Sequence, residues 1–437
     1  MKKIFSLVLT LSMMLCLFAC EKSPDNVFST AEASEIPMTT QAVTDEETSC
    51  FHQSRPMMEG NIPHFLKTAV ADFGFDLFKE AVKSETNALI SPVSVIMALA
   101  MTANGADGKT LEQTESVLGA EIESFNIYFT KDVFSGDGIN LANSVWLNNQ
   151  KNRLTVNQDF INSVKSSYGA EVFSRRFDND TLTEINRWVS RNTNGSIENM
   201  LSEIPADAVI YLINTILFDA EWEYPYTAGN ISEYQAFTSE SGEKQLVTML
   251  RSTESSCKYF TLGKTEGIIR HYTNGYSFAA ILPNEGISIN EALESFDSAQ
   301  FVETVVPLRY NPTCATGLYP VYVSLPKFEF ESSFRLSDAL SEMGMPLAFS
   351  GKADFSRMAS SKRGNICIGE VYHNSFISLS ENGTKAGAAT DVMINDTAEA
   401  EIFQSKTLEF NRPFIYVIYR TENGLPLFIG TVRDFDS

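Results

Sequence analysis

The chain has 437 residues, too long for one ordinary domain and too short for three, so its length admits one large domain or two. Hydrophobic residues make up 43% and charged residues 20%, and 31 Phe provide aromatic bulk for a large interior, which is a globular composition. With 33 basic against 55 acidic residues the formal charge is −22, which repels phosphates and argues against nucleic-acid binding.

Residues 1–20 read as a targeting segment. Lys2 and Lys3 form a charged start, and Ile4 to Phe18 is an apolar run broken only by Ser6, Thr10 and Ser12. The run is too short and too close to the N-terminus for a membrane span. Its end, Leu17-Phe18-Ala19-Cys20, resembles the bacterial lipobox, in which the cysteine becomes the first residue of the mature chain and carries lipid. Ordinary export with an incidental cysteine is the plainer alternative. Lipid on Cys20 would anchor the protein in the cell envelope, at the outer membrane or cell surface and facing outward. Residues 21–60 are rich in Ser, Thr, Glu, Asp, Pro and Met without periodicity, the composition of a disordered tether.

From residue 61 the pattern is globular. Phe65, Val70, Phe73, Phe75, Leu77, Phe78 and Val82 recur at roughly helical spacing. Ser91-Pro92 opens a helix-like stretch over Val93–Ala103, and a third covers Leu111–Leu118. Further helical patterns lie at Thr183–Arg191 and Leu336–Met343. Strand-like runs occupy Leu141–Leu147, Val209–Phe218, Phe278–Leu282, Val321–Phe330 and Phe414–Tyr419. With no repeat and no internal linker, 61–437 reads as one mixed domain.

Catalytic and cofactor motifs are missing. His52, His64, His271 and His373 form no metal-binding pair, and no nucleophile elbow is present. Gly105 to Thr110 lacks the first glycine of a phosphate loop, since position 103 is Ala, and reads as a helix-ending turn. Outside the leader, Cys50, Cys257, Cys314 and Cys367 are too widely spaced for a zinc site or a disulfide framework. One disulfide among them suits an exported protein, and the spacing does not choose the pair.

The distinctive stretch is 381–400. Its Gly and Ala content is that of a flexible loop, yet it alternates. Thr384, Ala386, Ala388, Thr390, Val392 and Ile394 are small or apolar, while Lys385, Gly387, Ala389, Asp391, Met393 and Asn395 are mostly polar or tolerant. That is the period of a strand with one buried face. A segment able to be either loop or strand suits a conformational trap.

Glu381-Asn-Gly-Thr-Lys-Ala-Gly-Ala-Ala-Thr390 resembles the hinge of the serpin reactive-centre loop. The likeness extends in family order through Asn87–Ser94, Ala98–Met101, Gly105–Thr110, Leu212–Thr215 with Phe218 and Trp222, Val323–Phe328, Met343-Gly344, Ala353–Ser356, Val371–His373, Phe410–Phe414 and Phe428–Val432. It covers 61–437. The resemblance implies the serpin fold: mixed α+β, three β-sheets, eight to nine helices and an exposed reactive-centre loop at about 381–405. It implies a monomeric inhibitor rather than an enzyme, with no cofactor or metal. A target serine protease would form an acyl-enzyme with the loop, and the severed loop would then enter the central sheet as a new strand. By the same likeness Glu381, Gly383, Thr384, Ala386, Gly387, Ala388, Ala389 and Thr390 are the hinge. Ser91, Ser94, Asn214 and His373 are the shutter beneath the sheet. Trp222 and Lys327 stand at its upper breach, with Lys327 paired to Glu381. Family spacing puts the cut between Thr397 and Ala398, although the stretch to Pro413 is longer than in many serpins. The loop has no Lys or Arg from Ile394 to Ala400, which disfavours trypsin-like targets and suits elastase-like or subtilisin-like pockets. Cleavage after Asp396 would point to an Asp-selective protease. The alternatives are a noninhibitory serpin-fold lipoprotein that binds a ligand at the surface, and an inhibitor of a cysteine protease. The small hinge residues disfavour the noninhibitory one.

Overall fold

The computed structural model of the chain describes residues 62–83, 86–129, 138–150, 153–308, 319–384 and 405–435, and the backbone of 9–19. The lipidation candidate Cys20, the tether, hinge residues 386–390 and the Thr397–Ala398 bond lie outside the described residues.

Two layers of strands enclose the core. The central sheet has six strands in the order Phe328–Arg335, Ile366–Leu379, Leu9–Ala19, Ala208–Phe218, Ile139–Asn148 and Glu171–Arg175. All neighbours run antiparallel except the last pair, which is parallel. The second six-stranded sheet is ordered Tyr259–Leu262, Thr265–His271, Tyr276–Pro283, Phe414–Arg420, Pro426–Val432 and Ala88–Ile90. A four-stranded sheet joins Lys406–Glu409, Pro320–Pro326, Lys244–Ser255 and Ile231–Thr238. Two short two-stranded pairs are added to these three sheets. Nine α-helices lie among the described residues.

The helix Pro92–Ala103 shows how the sequence sets the layers. Ser91 caps it, its side chain accepting the Ser94 N–H, and Pro92 sits where its missing N–H costs nothing. Every one of its residues is buried, as expected of a helix that is apolar all round. It lies in the main core beneath the central sheet and packs on Ala208–Phe218 and Pro426–Val432. The helix Asn179–Asn192 is instead amphipathic. Its Ile185, Trp188 and Val189 close a smaller core with Trp146, Tyr211 and Ile213 on the sheet's other face.

Several expectations shift in detail. The run Val321–Phe330 is two strands, Pro320–Pro326 in the four-stranded sheet and Phe328–Arg335 in the central sheet, and the chain passes from one sheet to the other at Lys327. Gly105–Thr110 both ends one helix and opens the next, Gly108–Leu118, with Asp107 as its cap. Cys367 is buried and disulfide-bonded, and its partner is not among the described side chains. The sequence reading gave residues 1–20 no place in the fold, and in the structure Leu9–Ala19 form a strand in the middle of the central sheet. Thr10 and Ser12 alternate with Leu9, Leu11 and Met13 at the start of this run, and from Met13 onward it is continuously apolar, as in a strand covered on both faces.

Candidate functional site: the hinge, the breach and the shutter

The hinge begins where the strand Ile366–Leu379 ends. Ser380 to Asn382 turn the chain, and Gly383–Thr384 come back to pair antiparallel with Ala220–Glu221, the continuation of Ala208–Phe218. Gly383 stands opposite Glu221 and Thr384 opposite Ala220. Gly383 has φ of 145°, and a Cβ there would lie 2.2 Å from the Ala220 carbonyl oxygen, so glycine is required. Thr384 is fully buried, and its hydroxyl shares a 2.6 Å hydrogen bond with the Tyr272 hydroxyl.

The breach holds this turn. Trp222 is buried and stacks on Tyr272 with ring centroids 4.3 Å apart. Its indole N–H donates to the Ser380 carbonyl at 3.0 Å. The backbone N–H groups of Trp222 and Tyr226 donate to the carbonyls of Asn382 and Glu381. Lys327 and Glu381 form an ion pair at 2.5 Å, both side chains partly exposed. Burial alone would raise the Glu381 carboxyl, but the bond from Lys327 overcomes it and the net shift is downward. Behind Trp222 lies a buried pair, Arg270 and Glu254, with the guanidinium 4.1 Å from the Tyr226 ring centre. Burial would push Glu254 up, and Arg270 and Lys258 hold it below the usual carboxylate range.

The shutter lies deeper, where the helix Pro92–Ala103 meets the sheet. His373 is fully buried, and burial pulls its pKa down to about 3, so the ring is neutral. Its Nε2 accepts the Ser91 backbone N–H at 3.1 Å, which puts the ring proton on Nδ1. That Nδ1 has no hydrogen-bond partner among the described residues. The Ser94 hydroxyl bonds Asn214 Oδ1, and Asn214 Nδ2 donates to Asn143 Oδ1 at 2.8 Å. Asn143 donates in turn to the Tyr168 carbonyl. The four shutter residues therefore come together, as do Trp222, Lys327 and Glu381 at the breach. Asn143, Tyr272, Arg270, Ser332 and Ser375 were missed by sequence reasoning. Ser332 and Ser375 fasten the sheet to the backbone of Leu89. Only Ser375, two positions beyond His373 and so on the same strand face, carried a local signal.

Between Ala208–Phe218 and Ile366–Leu379 the sheet holds one further strand, and Leu9–Ala19 fills that position, antiparallel to both neighbours. Among the described residues no His, Cys, Asp and Glu cluster could hold a metal ion, and no helix is long and apolar enough to cross a membrane.

Comparison with known proteins gives one answer. The family model described as Serpin (serine protease inhibitor) matches residues 68–435. An uncharacterised serpin-like protein of Thermococcus kodakarensis is 31% identical over 380 residues, covering 84% of this chain and 85% of its own. Serine protease inhibitor A3K of Mus musculus is 28% identical, covering 90% and 94%. The crystal structure of the thermophilic serpin tengpin in its native state aligns with a TM-score of 0.76 and 37% identity, covering 86% of this chain and 96% of tengpin. Tengpin in its latent state aligns at 0.73 with the same identity, covering 87% and 100%. The chain belongs to the serpin family.

Proposed function

We propose that this serpin inhibits serine proteases as a single-use substrate, performs no catalysis of its own, and acts at the cell envelope from a lipid anchor on Cys20. The target protease attacks the loop, forms an acyl-enzyme near Thr397–Ala398, and is carried away as the severed loop enters the central sheet. Small residues around that bond suit an elastase-like or subtilisin-like pocket.

One observation carries the reading. Gly383 and Thr384 are already paired at the head of the strand position that insertion must fill. Continued in the same register, Ala386 would come opposite Phe218 and Thr390 opposite Asn214. Each inward position from 384 to 394 is then Thr, Ala, Ala, Thr, Val or Ile, so no charge is buried and no bulk is forced into the sheet. Thr390 would also reach the register of His373, whose Nδ1–H has no partner among the described residues. The human thyroxine-binding globulin structure, aligned at 21% identity and a TM-score of 0.71, shares the fold alone.

The test is incubation of the leader-free protein with an elastase-like protease, followed by denaturing electrophoresis and sequencing of the released C-terminal fragment. A covalent complex should form, with Ala398 at or near the new N-terminus. Thr384→Arg and Ala386→Arg should instead be cut and released, because a buried guanidinium stalls insertion. A stable complex with either arginine variant would show that trapping does not use this strand position.

A further inference from the structure

The leader strand occupies the place the loop needs. Leu9–Ala19 pairs with Ala208–Phe218 on one side and with Ile366–Leu379 on the other. Leu9 stands opposite Phe218, where the register of Thr384 opposite Ala220 would bring Ala386. Met13 stands opposite both Asn214 and His373, the station that Thr390 would take. Leader residues 9 to 17 thus match loop residues 386 to 394 one for one, in the same direction. The sequence phase agrees as well. Leu9, Leu11, Met13, Leu15 and Leu17 fall where Ala386, Ala388, Thr390, Val392 and Ile394 would fall. The leader carries more apolar surface at those stations, so it is the stronger occupant. The chain between Ala19 and Ile62 is about 40 residues, on the order of 130 Å when extended, which is ample to bring the leader to the sheet.

We infer that the leader is an intramolecular plug: while it remains attached it fills the insertion slot, and removal of the segment ahead of Cys20 arms the inhibitor. The inference rests on the trapping reading proposed above. A gap in a sheet admits one strand, so plug and loop exclude each other, and a loop cut in the plugged chain is released as an ordinary substrate.

The test uses the full chain, expressed without export so that residues 1–20 are kept. It is compared with its Leu11→Asp/Met13→Asp/Leu15→Asp form and with Met13→Leu as the conservative control. Hydrogen exchange should show protected amides in Leu9–Ala19, Ala208–Phe218 and Ile366–Leu379 of the wild type and of Met13→Leu. In the triple variant the two flanking strands should exchange at least about tenfold faster. Cleavage by the protease should end in covalent complex at least about tenfold more often in the triple variant than in the wild type. Rapid exchange across Leu9–Ala19 in the wild-type chain overturns the plug, and that reading needs no variant to fold. Equal complex yield in wild type and triple variant overturns it too, provided complex forms. If exchange follows the plug pattern and no form traps protease, the plug stands and the trapping reading falls.

Discussion

His373 is the residue on which most of the shutter converges. It ties the strand Ile366–Leu379 to the cap of the buried helix, and its burial fixes a pH dependence. Its pKa is about 3 in the folded protein against an ordinary 6.5, so between those values the unfolded chain binds a proton that the folded protein refuses. Stability is therefore complete above about pH 6.5 and is lost as pH falls toward 3, by up to ~1.4 kcal/mol per unit. Glu254 and Glu381, whose pKa values fall on folding, lose their contributions only below about 4.5. His373→Gln keeps an acceptor for the Ser91 N–H and cannot titrate. Between pH 7.5 and 5 the wild type should lose about 2 kcal/mol more than this variant, read from denaturant midpoints. Parallel pH curves for the two proteins would refute a neutral, buried imidazole. The partners of His373 could be named from the sequence because Ser91, Ser94 and Asn214 sit in runs that resemble the family's. Asn143 and Tyr272 could not. Asn143 meets Asn214 across 71 positions and Tyr272 meets Thr384 across 112, and nothing local marks either residue.

Among the elements, the hinge strand is the one whose backbone the proposed trapping mechanism depends on most. Gly383 passes under the Ala220 carbonyl with its φ in a region that side chains disfavour. Gly383→Ala sets a methyl against that oxygen and should cost the seated hinge ~1–3 kcal/mol. The share of cleavage events that end in covalent complex should drop at least about fivefold, while the rate of loop cleavage stays unchanged. Complex yield equal to that of wild type would mean the seated turn is not on the path to insertion. Two helices were plainly legible: the one opened by Ser91-Pro92 through its cap and apolar run, and the one around Thr183–Arg191 through its periodicity. The helix Gln158–Tyr168 was passed over, although it carries clear end signals in Asn157 and the left-handed Gly169. The hairpin Ile231–Thr238 and Lys244–Ser255 was also passed over, since its exposed edge strand dilutes the alternation. The strand in the leader was not legible for a different reason. Charge, apolar run and a final cysteine read as a targeting segment, and a continuous apolar run becomes legible as a strand only beside a sheet with a place to fill.

At the scale of the whole molecule, a central sheet able to take one more strand is a store of free energy. Inserting residues 386 to 396 as a strand would bury Val392, Ile394 and several alanines and complete two ladders of hydrogen bonds, a gain on the order of 10 kcal/mol. On the proposed mechanism the uncut loop is tied at both ends and does not collect that gain, so the armed state would persist kinetically. Cutting the loop in the leader-free protein should therefore raise the unfolding temperature by on the order of 20 °C. The plugged full chain gives the opposite expectation. Its slot is already filled, so the uncut protein should start from the higher temperature and gain almost nothing from the same cut. Two scanning-calorimetry pairs, cut and uncut with and without residues 1–20, separate the contributions. A large rise on cutting in both forms would show that the loop displaces the leader at will. No rise in either would mean that the severed segment stays in solvent, and the sheet then stores nothing that could capture a protease.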